Sequence, residues 1–110
     1  MWAGDTDAAA LAFARRHWED ARRMDDALVL DCLEAAQTAV VEFAPVLAEG
    51  APVPVDYAIA HVYHAREVRA AAARGDGDAV GMGDFVIRPR PLTTAVKQLL
   101  RPTRGVPAIG

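Results

Sequence analysis

The chain of 110 residues has a single cysteine, Cys32, and a single lysine, Lys97, and only 6% of its residues are aromatic. A lone cysteine forms no disulfide within its own chain, and no basic, apolar and small-residue leader is read at the N-terminus, so synthesis in a reducing cytoplasm is expected. Charged residues interrupt every apolar run well short of the roughly 20 residues that a helical membrane span needs. A soluble protein with no membrane role is therefore predicted. The last absence is one of sign: residues 85–110 hold no acid.

Hydrophobic residues nevertheless make up 53% of the sequence. Much of that share is alanine, which favours helices strongly and fills a core poorly. Thin, closely packed helices in one domain are the expected result, because a chain of this length seldom supports two cores. The net charge is −3 and it is unevenly spread. Residues 1–50 carry ten acids against four arginines, a balance of −6, whereas Arg88, Arg90, Lys97, Arg101 and Arg104 give residues 85–110 a balance of +5. Overall acidity argues against a dedicated nucleic-acid binder. The polarity suits oriented encounter with further copies or with an acidic partner, since opposite potentials fix register more than they add affinity.

The predicted fold is mainly α: a small antiparallel bundle of three longer helices and a short C-terminal one. Residues 7–23 read as the first helix, capped by Asp5, Thr6 or Asp7, with Ala10, Phe13, Ala14, His17 and Trp18 on one face. Asp25 and Asp26 cap a second helix to about Ala44, whose stripe is Val29, Leu33, Ala36, Val40 and Phe43. Pro45, Pro52 and Pro54 stiffen the connector that follows. The third helix is read from about Val55 to Arg74, with Ala58, Val62, Ala65, Val68 and Ala72 as its apolar positions. A loop rich in glycine and aspartate then leads to a short extended β segment at Phe85–Arg88, so that residues 75–90 form a loop and strand. Thr93 or Thr94 caps the last helix, Ala95 to Leu100, which Pro102 closes. Residues 1–100 form the helical domain on this reading, and 101–110 an extended docking arm.

No grouping of residues supplies a nucleophile, a base and an orienting group together, so an enzyme is not expected. His61, His64 and Glu67 share a helical spacing, but they drift around the helix and no cysteine or further histidine lies nearby in sequence to complete a tetrahedral site. They are read as surface or interface histidines, with no metal. Counting a calcium loop from Asp76 puts Val80 and Ile87 where oxygen ligands belong, and that motif fails. Arg74-Gly75-Asp76 is too short a tripeptide to mean adhesion, and Gly81-Met82-Gly83 precedes a strand rather than a helix that holds phosphate. Cys32 has no adjacent cation to activate it and reads as a buried thiol. Glu19 with Asp20, and Asp25 with Asp26, suit capping better than catalysis. No cofactor is expected.

The ending, Leu99-Leu100-Arg101-Pro102-Thr103-Arg104-Gly105-Val106-Pro107-Ala108-Ile109-Gly110, alternates apolar, basic and proline residues beyond the last helix. Prolines lower the entropy lost on binding, and arginines with apolar anchors favour extended docking on a groove or sheet edge. Together with Ala51-Pro52-Val53-Pro54, Tyr57, the run Ala60-His61-Val62-Tyr63-His64-Ala65-Arg66, the stretch Gly83-Asp84-Phe85-Val86-Ile87 and the segment Val96-Lys97-Gln98-Leu99-Leu100-Arg101-Pro102, it resembles the head-to-tail adaptor (connector) proteins of tailed bacteriophages, those infecting actinobacteria in particular. The likeness covers the layout of residues 25–110 and leaves the first helix without a counterpart.

The resemblance implies a structural virion protein at the neck of the capsid vertex. Copies of the chain would form a ring, commonly a dodecamer, bound to the portal protein on one side and to a downstream neck or tail protein on the other, with genomic DNA passing through without specific binding. Portal contact is then expected from Arg101, Pro102, Arg104, Val106, Pro107 and Ile109, and subunit contact from Asp84, Phe85, Ile87, Arg88 and Arg90. The alternative is a helical interaction or regulatory module whose basic C-terminus binds an acidic partner or nucleic acid.

Overall fold

A computed structural model of the chain describes residues 1–73 and 90–102. Helix α1 (Asp7–His17) starts where the Thr6 hydroxyl accepts a hydrogen bond from the Ala9 amide at 3.1 Å, which satisfies one donor of the open first turn. It is shorter than the periodicity predicts. Trp18 adopts an extended conformation, and the chain re-enters as a 3-10 turn at Glu19–Arg23 rather than continuing as an α-helix.

Two arginines explain why the break is tolerated. The Arg22 Nε donates to the Arg15 carbonyl at 3.0 Å, pairing a group that the interrupted helix leaves open. In return Arg15 donates from Nε to the Ala21 carbonyl at 2.9 Å and from Nη2 to the Met24 carbonyl at 2.8 Å. The same Nη2 lies 2.9 Å from Asp26 Oδ1 in the first turn of the next helix. Trp18 keeps the buried place that the helical face assigned to it, but reaches it from extended backbone.

Helix α2 (Asp26–Phe43) buries Val29, Cys32, Leu33, Ala36 and Val40, close to the stripe read from the sequence. It ends at Ala44, held extended before Pro45 as that ring requires. The connector turns where the Ala51 amide donates to the Ala48 carbonyl at 2.9 Å, with Gly50 at φ +81° supplying the left-handed residue. Helix α3 (Val55–Ala73) then runs back antiparallel: Ala60 packs with Val40 and Ala44, while Val62 and Ala65 pack with Val29, Cys32, Leu33 and Ala36. Helix α4 (Thr94–Leu100), capped by the Thr93 hydroxyl on the Val96 amide at 3.3 Å, closes the far end of the core with Val96 and Leu100.

Among the described residues ten of the nineteen buried apolar positions are alanine, which lets helices approach closely but leaves few large anchors. Leu33 and Leu100 are the largest fully buried side chains, each adding about 2 kcal/mol through removal from water. The described residues form four α-helices and one 3-10 turn packed as a bundle, with no strand among them. Of the expected loop and β segment (75–90) residues 75–89, and of the expected arm (101–110) residues 103–110, lie outside the described residues.

Candidate functional site

The base of the proposed arm is built by α4. Val96 and Leu100 face the core, which turns Lys97 and Arg101 toward the C-terminal end of α2. There the Arg101 Nε donates to the Phe43 carbonyl at 2.7 Å, and the guanidinium carbon lies 5.3 Å from the centre of the Phe43 ring. Lys97 Nζ is 5.8 Å from the same centre. An α-helix leaves its last carbonyls without internal partners, so a cation at that end satisfies both a hydrogen bond and the helix dipole. Arg101 and Pro102 remain exposed. The same end of α2 leads into the connector, where Val46 is 96% exposed and Val53 is open to solvent, as is Val55 at the start of α3.

Of the residues expected to touch the portal, Arg101 and Pro102 are therefore placed at the end of the bundle. Arg104, Val106, Pro107 and Ile109 lie outside the described residues. Of those expected at a subunit interface, Arg90 is half-buried and already interacts within the chain, and Asp84, Phe85, Ile87 and Arg88 lie outside the described residues.

The histidines require a correction. His61 and His64 are read from the sequence as surface or interface residues, yet both are fully buried. His61 is held between two backbone groups far away in sequence: its Nδ1 accepts from the Ala3 amide at 3.2 Å, and its Nε2 lies 2.7 Å from the Leu33 carbonyl. A carbonyl only accepts, so Nε2 carries the proton and the ring is neutral. Burial pushes its pKa down to about 4, with the Leu33 hydrogen bond acting in the opposite direction. Burial likewise lowers the pKa of His64, against the influence of the nearby Arg90 backbone and Glu67, although neither ring nitrogen reaches hydrogen-bonding geometry with a partner among the described residues. Both nitrogens of His61 are thus committed to the backbone, and no cluster with metal-ligand character occurs among the described residues.

His61 anchors an N-terminal segment that passes over the bundle. The Trp2 amide donates to Gln37 Oε1 at 3.1 Å, and the Trp2 and Tyr57 rings meet with centres 5.0 Å apart. Cys32 is fully buried and its thiol is pushed up to about 11, by burial first, with Arg69 pulling it down in part and Asp31 adding to the rise. A thiol with that pKa is a packing group and a poor nucleophile at neutral pH.

A groove of about 290 Å³ opens between the 3-10 turn and the second half of α3, lined by Trp18, Asp20, Arg66, Arg69, Ala70 and Ala73. Arg66, Arg69, Ala70 and Ala73 follow a helical spacing that places them on one flank of α3. That signal was in the sequence. What it lacked was the opposite wall, because Trp18 meets α3 only once the first helix has broken.

Searches against protein-family models, curated proteins and solved structures found no match to this chain. Fold and site together define a class and no more: a small α-helical bundle with a basic C-terminal end.

Proposed function

We propose that this chain is a structural virion assembly protein, a head-to-tail adaptor that forms a ring between the portal and the neck or tail and lines the DNA exit channel. The observation that carries the reading is the closure of the bundle at Leu100, with Arg101 fastened to the end of α2. The basic, proline-punctuated sequence after Pro102 thus starts from a fixed point on the surface, as a docking arm for the portal needs. Subunit contact is assigned to Asp84, Phe85, Ile87, Arg88 and Arg90.

The face of α2 supports the conduit role. Asp31, Glu34 and Glu42 are exposed, form no ion pair among the described residues, and share their helix with no basic residue. Such a surface repels phosphate and lets DNA slide. The charge polarity of the chain also suits the head-to-tail contacts of a ring, in which one patch meets a different one on the next copy. The second reading, an interaction or regulatory module whose basic end binds an acidic partner or nucleic acid, draws on that same polarity.

The test is deletion of residues 103–110, followed by co-sedimentation with a portal protein where the same genome encodes one. On the adaptor reading the shortened chain keeps its helix content and melting temperature but loses portal binding. Retained portal binding removes the arm from the assignment, and absence of portal and capsid genes from the neighbourhood sinks the adaptor reading itself.

A further inference from the structure

Residues 1–4 form a strap that precedes the first helix, and three contacts tie it across the bundle. The Trp2 amide donates to Gln37 on α2, the Trp2 ring packs on Tyr57 of α3, and the Ala3 amide donates to His61 Nδ1. None of these is a hydrogen bond within a helix. The first turn of α1 is capped by Thr6, and α2 and α3 pack on each other directly. The strap can therefore leave while the bundle stays closed, as locally held segments do.

Of the three contacts only the one to His61 depends on a proton. Nδ1 accepts from Ala3 at 3.2 Å because Nε2, 2.7 Å from the Leu33 carbonyl, holds the single proton of the neutral ring. A second proton must go on Nδ1, where it meets the Ala3 N–H donor to donor. The bond at Nε2 survives, since an imidazolium donates to a carbonyl more strongly than the neutral ring does. The fold thus holds one end of the charged ring ready and blocks the other with the strap. Moving Ala3 away gives the new Nδ1–H a water partner and removes the block.

While the strap is closed, its surroundings work against a charged ring. Burial is the largest influence and holds the pKa down to about 4. The α-amino group of Met1 on the strap and His64 one turn along α3 both oppose a further positive charge, whereas the Leu33 carbonyl of α2 favours it. The acids nearest these contacts in sequence, Asp5 and Asp7 around the start of α1 and Asp31 and Glu34 beside Leu33, are exposed to water. We infer that residues 1–4 are an acid-released latch: a second proton on His61 Nδ1 detaches them from a bundle that stays folded, uncovering Tyr57 and His61. The released state binds the extra proton, so falling pH favours release. With the free ring at its ordinary 6.5, opening becomes about fiftyfold more favourable between pH 7 and pH 4.5.

The test is amide hydrogen exchange of the full chain between pH 7 and pH 4.5, read as protection at Ala3 and at Val40 in the core. Ala3 is expected to lose about tenfold to fiftyfold of its protection over that span, while helix content by circular dichroism is unchanged. At every pH Ala3 should stay at least about tenfold less protected than Val40. His61→Gln, whose amide keeps a donor and an acceptor without titrating, should abolish the fall. Gln37→Ala should loosen the strap at every pH and leave the fall in place. Equal protection at Ala3 and Val40, dropping together, overturns the inference, because only unfolding of the whole bundle then reaches the ring. A fall retained in folded His61→Gln does the same. The parent decides even if that variant does not fold: in ¹⁵N–¹H spectra, an Ala3 amide signal that stays in place once the His61 ring is doubly protonated overturns the latch.

Discussion

Arg101 joins the end of α4 to the end of α2 through a 2.7 Å hydrogen bond from its Nε to the Phe43 carbonyl. That contact makes Arg101 a structural residue as well as the residue from which the proposed arm would start. Replacing it with alanine leaves a helix-end carbonyl to solvent and removes a cation from the Phe43 ring, at a cost of about 1 kcal/mol. The expected drop in melting temperature is roughly 5 °C for a domain of this size. A chain ending at Pro102 keeps the contact and is expected to melt with the full-length protein, which thermal unfolding by circular dichroism checks.

Arg15 serves two carbonyls of the 3-10 turn and one carboxylate at the start of α2. Its removal leaves the break at Trp18 without support, and Arg15→Ala is expected to cost about 2 kcal/mol. Arg15→Lys should recover only part of that, because an ammonium cannot divide a planar fork between Ala21 and Met24. Urea midpoints of the two variants against the parent decide the matter. Equal stability of parent and Arg15→Ala would show the turn to be held by the burial of Trp18 alone.

Gly4 crosses the first turn of α1 so closely that a Cβ built on it falls 2.5 Å from the Ala10 amide nitrogen and 2.7 Å from the Ala9 carbonyl carbon. Those are backbone atoms and have no rotamer to yield. Gly4→Ala is therefore expected to displace the N-terminal segment and to destabilise by about 1–3 kcal/mol, the usual range for overpacking. Faster amide exchange at Ala3 reports the displacement directly, since that amide is bonded to His61.

His61 gives the fold a definite response to acid. Its pKa is near 6.5 when unfolded and about 4 in the fold, so between these values the unfolded chain binds more protons. The stabilisation from the neutral ring is fully present above about pH 6.5 and is lost as the pH falls toward 4, amounting to roughly 3 kcal/mol. His64 moves in the same direction. In ¹⁵N spectra the His61 ring should remain in its neutral Nε2–H form at pH 5.5, and the urea midpoint should fall between pH 7 and pH 4.5 by more in the parent than in His61→Gln.

Much of the bundle was legible in the sequence because its periodicity is local. Val29, Leu33, Ala36 and Val40 lie on one stripe, and all are buried. Thr93 caps α4 as its position implies. The break at Trp18 was hidden because His17 and Trp18 continue the helical spacing of Ala10, Phe13 and Ala14; what ends the helix is a pair of arginine side chains that serve the carbonyls on either side. The burial of the histidines is hidden for a related reason. Their polarity suggests the surface, whereas His61 is fixed by an amide and a carbonyl from Ala3 and Leu33, groups that every residue carries and that no motif marks. The groove, likewise, needs a wall from each side of that break.

The burial of Cys32 in the bundle core makes the protein its own clock. As the sole thiol of the chain, fully covered in the bundle, it meets an aqueous disulfide reagent only when the elements packed around it part. The rate at which it becomes modified therefore measures how often the core opens, without any label having been introduced.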